Sequence, residues 1–247
     1  MRYVMKRFCS LLIILCAFFC AFNSYAIDVD AESLKTAIKN NNHAAAKALI
    51  EQGVDVNYRD DDGNPLLYTA LIKNRLKMAK MLIDAGADVN APSSENGMTP
   101  LIIATSKAEK LKKQAEKIMA NTKGYTQSKG TEANLKKHIA IQMNIARKML
   151  KMLIENGADV NQETPFGTPL MRAAANPWNI ELVEILLKSD AQIDLQDRNG
   201  RTALFYSETF GNNKISSMLL SAGADVDIKD TNGKTYMEVT KEEFEEK

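Results

Sequence analysis

The chain has 247 residues, room for one good-sized domain or an elongated array of small units. Its 32 basic and 31 acidic residues nearly cancel, which argues against general nucleic-acid binding, and 3 cysteines are too few for a disulfide-built domain.

The first segment reads as a removable leader. Arg2, Lys6 and Arg7 form a basic start, residues 9–22 an uncharged apolar stretch of 14, and Ser24-Tyr25-Ala26 places small residues at −3 and −1 of a signal-peptidase site. That stretch is short of the roughly 20 residues a bilayer-crossing helix needs, so a signal peptide over 1–26, cleaved after Ala26, is expected rather than an anchor. Leu15 and Phe19 precede Cys16 and Cys20 where a lipobox wants a small residue, which argues against lipidation. Cys9, Cys16 and Cys20 all leave with the leader, so the mature chain (27–247) must stand on its packed core. Without the three leader cations it carries 29 basic residues against 31 acidic ones, and it contains no N-x-S/T sequon. Together these features favour bacterial export, with the periplasm as the expected location and the extracellular medium as the alternative.

From there the chain repeats. GVDVN starts at Gly53, GADVN at Gly86 and Gly157, DAQID at Asp190 and GADVD at Gly223, with spacings of 33, 71, 33 and 33. A second marker, a glycine ahead of a Thr-Pro-Leu-like start, falls at Gly63, Gly97, Gly167, Gly200 and Gly233, with spacings of 34, 70, 33 and 33. Two markers sharing one period predict a stacked array. Asn64, Thr99 and Thr168 precede a proline, a pattern in which a capping oxygen takes an orphan helix N–H and proline opens the helix. LKMAKMLIDAG, ARKMLKMLIENG, IELVEILLKSD and ISSMLLSAG carry apolar residues at three- and four-residue steps, which predicts a second helix per unit. The glycine after each stripe permits a left-handed stop; Asp190 stands in its place once.

These residues are similar to the ankyrin repeat over nearly the whole mature chain, from about Asp30. Four complete units begin near Asp61, Glu95, Thr164 and Asp197, between a degenerate first unit and a polar closing half-unit, GKTYMEVTKEEFEEK. The histidine usual after Thr-Pro-Leu is replaced by Leu67, Ile102, Met171 and Phe205. The resemblance implies an all-α solenoid of stacked helix-turn-helix units whose turns and first helices form a concave, protein-binding surface. Expected contacts are the non-consensus turn tips: Tyr58, Arg59 and Asp60; Ser93, Ser94 and Glu95; Glu163 and Phe166; Gln196 and Arg198; Lys229 and Thr231.

One unit is longer than the rest. Gly97 and Gly157 lie 60 apart where other units show 23, an excess of 37 residues over about 107–143. Leu111, Ala115 and Ile118 make one helical stripe and Leu135, Ile139, Met143 and Ala146 another, with a polar loop between them at 121–134. A long helical hairpin inserted in the unit that starts near Glu95 is expected. Its nine lysines against Glu109, Glu116 and Glu132 make it basic, so Lys112, Lys113, Lys136 and Lys137 are either a solvated face or a weak contact for an acidic surface.

Groups for catalysis are scarce. The mature chain has no thiol, only His43 and His138, and no GxSxG, P-loop or HExxH string. Asp60–Asp62 lack the spacing of a calcium loop. Trp178, the lone tryptophan, is either packed on a neighbouring unit or an exposed anchor. The sequence therefore points to a non-enzymatic binding module without cofactor or metal. It is expected to act as a monomer on another protein after export, as an immunity-type or helper protein; the alternative is a secreted effector that binds a host protein.

Overall fold

The computed structural model describes residues 31–107 and 129–239. The leader, Lys112, Lys113 and the first half of the expected hairpin lie outside them. The chain divides into two compact units, Met1–Ala87 and Asp88–Lys247.

In the first unit a helix over 31–39 (α1) is followed by α2 (His43–Glu51), α3 (Leu66–Ile72) and α4 (Leu76–Asp84). Asn41 takes φ 57° and Asn42 accepts the Ala45 N–H at 3.1 Å, so a sharp turn and a cap start α2 together. Leu66, Leu67, Ala70 and Leu71 of α3 are buried, and α3 packs on α4 through Met78, Ala79, Leu82 and Ile83. Lys35 of α1, itself buried, reaches Glu32 at 3.0 Å and Asp61 at 3.1 Å and so ties α1 to the following turn.

The second unit holds a helix over 100–107 (α5), α6 (Lys129–Glu155), α7 (Pro169–Ala174), a 3-10 turn at Pro177–Asn179, α8 (Ile180–Lys188), α9 (Ala203–Thr209) and α10 (Asn213–Ser221). First helices form one layer, α7 on α9, and second helices the other, with α6 and α10 both on α8. Leu182, Val183 and Leu186 give α8 its buried stripe. Among the described residues there are no strands, only isolated bridges such as Thr164–Gly167 that close the turns.

Within each of these units, side chains join consecutive repeats. In the first unit Asn57 donates to the Gly86 carbonyl at 3.1 Å; in the second, Asn90 donates to Gly157 and Asn161 to Asp190, each at 3.4 Å. The other end of each amide also works: Asn90 accepts the Asp159 N–H and Asn161 the Gln192 N–H, both at 2.8 Å. Asp194 holds the next place and accepts the Asp225 N–H at 3.0 Å, but a carboxylate has no amide hydrogen to return. A deeper joint runs from the start of a second helix to the first helix of the preceding repeat. Buried Asn179 donates to the Thr105 carbonyl at 3.1 Å and buried Asn212 to that of Ala174 at 2.6 Å.

Three local expectations meet different outcomes. Asp190 takes φ 61°, the left-handed stop read from its position. Thr168 and Thr99 cap α7 and α5 through the N–H groups of Met171 (3.3 Å) and Ile102 (3.4 Å). The N-cap position of α3 falls on Pro65 rather than Asn64, and Pro65 makes no side-chain cap bond. The Asn64 backbone instead closes the preceding turn, its N–H on Asp60 Oδ1 at 2.8 Å and its carbonyl on the Asp60 N–H at 2.9 Å.

The long unit carries the largest departure. α2, α4, α8 and α10 have nine residues each, whereas α6 has 27, about 40 Å of helix at the α-helical rise. Its final turns, 147–155, match the other second helices, and 129–146 extend that helix backwards. Residues 129–134, expected as loop, are helical. Once a helix is nucleated in the stack, each further residue adds a hydrogen bond, and Gly130 alone does not stop it.

Candidate functional site

Each turn tip is held by its own side chains. Asp197 Oδ1 accepts the N–H groups of Asn199 and Arg201, both at 2.8 Å, and Asp230 Oδ1 those of Asn232 (2.8 Å) and Lys234 (3.0 Å). Thr164 Oγ1 accepts from Phe166 at 3.1 Å and donates to the Gly167 carbonyl at 2.9 Å. Ser93 accepts the Met98 N–H at 2.9 Å and lies 2.6 Å from Asn96 Oδ1. Neighbouring tips also touch, through Thr231 N–H on the Asn199 carbonyl at 2.9 Å and Gln196 Nε2 on that of Lys229 at 3.3 Å, while Gln196 Nε2 also donates to the Gly200 carbonyl of its own tip at 2.7 Å.

This bonding sorts the residues expected to bind. Asp60 and Ser93 are buried, their side chains occupied in the turns they close, and so face away from a partner. Arg59, Ser94, Glu95, Glu163, Gln196, Arg198, Lys229 and Thr231 are exposed, and Tyr58 and Phe166 are half-buried. Trp178 is half-buried in the 3-10 turn ahead of α8. Lys137 is exposed on α6, which also carries Lys136; Lys112 and Lys113 fall outside the described residues.

Glu163, Gln196 and Arg198 come together. With Thr164, Pro165, Gly167, Thr168, Met171 and Asp197 they line a groove of about 210 Å³ between the tips of the last two full units. Beside it the Arg172 guanidinium sits 5.9 Å over the Phe166 ring, a cation–π contact. Tyr206 donates its hydroxyl to Asp197 Oδ2 at 2.9 Å. Burial, with Asp197 next to it, pushes the Tyr206 phenol well above its ordinary value of 10.0, so it remains a neutral donor. Arg172 and Tyr206 were not among the expected residues. They follow directly on Met171 and Phe205, at one register of the first helix that the two repeat markers do not flag.

A larger hollow, about 480 Å³, lies on the opposite layer between α6 and α8. In it Arg147 pairs with Glu181 at 2.8 Å and Lys188 with Glu184 at 2.7 Å. The acidic run has structural work in its first two members, since Asp60 closes a turn and Asp61 pairs with Lys35. Among the described residues no group of three or more His, Cys, Asp or Glu is placed to hold a metal, and no helix is long and apolar enough to cross a membrane.

A family model described as ankyrin repeats in three copies matches residues 34–114 and 137–230. The chain belongs to the ankyrin-repeat family. The gap in that match falls inside the expected insertion, as it must if the extra residues are foreign to the repeat. This ankyrin protein is similar to ankyrin repeat domain-containing protein 37 of Bos taurus, 41% identical over 66 residues, which are 27% of this chain and 41% of that protein. It is similar to the Homo sapiens protein of that name at 39% over 66 residues, with the same coverage. The Xenopus tropicalis protein is 38% identical over 50 residues, 20% of this chain and 31% of its own length. The chain thus spans less than half of each of these relatives. Ankyrin repeats are in general non-enzymatic modules for binding other proteins, and the coarse function of this chain follows.

Proposed function

We propose that this ankyrin protein is exported to the periplasm and there binds another protein, neutralising it as an immunity-type partner or supporting it as a helper. The groove between the last two full units carries the reading. Its rim presents charged side chains on rigid tips, with Phe166, Arg172 and Tyr206, residue types that supply interface anchors, alongside. The basic start, apolar stretch and small-residue site of 1–26 support export.

Fractionation of the producing cells, with N-terminal sequencing, should find the chain in the periplasm beginning at Ile27. A photo-crosslinking residue at Arg198 should then capture one protein from periplasmic extract, with none at an exposed control such as Lys47 on α2. An intact Met1 in the cytoplasm would refute export. Equal capture at both positions would refute the binding face. Recovery in the medium instead would favour a secreted effector.

A further inference from the structure

The groove between the last two full units has an unusual balance of satisfied and unsatisfied groups. Asp197 gives one carboxylate oxygen to two backbone N–H groups and the other to Tyr206. Thr164 and Thr168 are bonded inside their own turn and cap, and Gln196 donates to two carbonyls. Glu163 and Arg198, both exposed, are the charged lining residues whose side chains no hydrogen bond or ion pair engages among the described residues, and they do not pair with each other. Beneath them Met171 is 1% exposed and Pro165 stands at the rim.

Size narrows the occupant. About 210 Å³ is below the roughly 300–1,000 Å³ of small-molecule pockets and suits the side chains of a polypeptide. Charge narrows it further. A segment of one sign would neutralise one rim group and leave the other desolvated and unpaired, a penalty that selects against it.

We infer that this groove takes a segment of the partner protein that carries an acid and a base together. Its carboxylate meets Arg198, its ammonium or guanidinium group meets Glu163, and an apolar residue lies against the exposed Pro165. The inference rests on the protein-binding reading above and adds the chemistry of what is bound.

A phage-displayed random peptide library panned on the whole chain supplies the probe. Phage that also bind the R198E/E163K double variant are removed, and circular dichroism checks that the variant keeps its helices. The remaining peptides should share one acid and one base at fixed spacing around an apolar residue. A synthetic peptide of that consensus should lose at least about tenfold in affinity with R198E or E163K, and less with R198Q or E163Q. Exchanging the acid and base within the peptide should restore its binding to the double variant. If that subtraction removes every enriched phage, so that all peptides bind wild type and double variant alike, the groove chemistry is overturned while a protein-binding module is left. Enriched peptides of one charge sign would overturn it too. Failure to enrich any peptide counts against the groove, and absence of a crosslinked partner in the periplasmic experiment separately counts against the module reading.

Discussion

Asn179 donates its side-chain amide to the carbonyl of Thr105 at 3.1 Å, across 74 positions of sequence, and to that of Ala173 at 3.2 Å. The two bonds hold the 3-10 turn ahead of α8 against α5 and the end of α7. Asn179 is fully buried, so its removal leaves carbonyls that water cannot reach.

Asn179→Ala should therefore cost about 2 kcal/mol, more than the loss of an exposed hydrogen bond. Urea unfolding followed by far-UV circular dichroism measures it. Asn90→Ala, which breaks exposed bonds of the outer joint, should cost about 1 kcal/mol. An equal loss at both sites would refute the ranking by burial.

Asp194→Asn should stabilise the chain by about 0.5–1 kcal/mol. The amide would keep the bond from the Asp225 N–H and add a donor toward the carbonyl that ends α10, as Asn161 does one unit earlier. A lower urea midpoint would show that the last joint differs in more than one atom type.

Gly200→Ala should destabilise by about 1–3 kcal/mol. Gly200 has φ 73°, and an added Cβ would lie 3.1 Å from Asp230 Cα and from the Thr231 nitrogen. Gly211, with φ 67° and open space around it, is the control, since only conformational strain acts there. Thermal melts of both variants separate the two causes.

Alkaline titration should expose two groups. Lys35 is held well above its ordinary value of 10.5, first by its bond to Glu32 and then by Asp61, against the opposing effect of burial. Burial and Asp197 likewise raise the Tyr206 phenol above 10.0. In both, the folded chain keeps the proton longer than the unfolded one. The stabilisation is complete below the ordinary value and falls away as pH rises through the higher folded one. Urea midpoints should decline above pH 10, and Lys35→Met or Tyr206→Phe should each flatten that decline. A slope unchanged in both variants would refute these assignments.

Replacing 107–143 with a short ankyrin-type loop should leave a folded protein, because 147–155 of α6 already make a full second helix. If the basic arm also contacts an acidic surface, reversing the charge of Lys112, Lys113, Lys136 and Lys137 should slow association and flatten its dependence on salt. Identical rates for wild type and reversed chain would leave those lysines as a solvated face.

The period was legible because stacking repeats the same demands every 33 residues: a capped helix start, a buried stripe, a left-handed stop. Asp190 could be placed on that ground alone. The N-cap of α3 could not, because a one-residue shift puts Pro65 rather than Asn64 at that position. The outer joints hid in plain view, since the Asn of each GADVN reads as local turn chemistry until its partner in the next unit is seen. The groove was half legible. Glu163, Gln196 and Arg198 stand out as non-consensus tips, but Asp60 and Ser93 occupy similar places and are buried, and sequence does not separate a side chain that closes a turn from one that leaves it.

The joints on either side of the insertion have a consequence for engineering. Thr105 is gripped by Asn179 and Gly157 by Asn90, so bonds within the stack hold a point on each side of the insertion. A chain so clamped is a socket. Any folded domain whose termini lie close together could replace 107–143, carried on residues 144–155 of α6, which stay rooted in the layer that also holds α8.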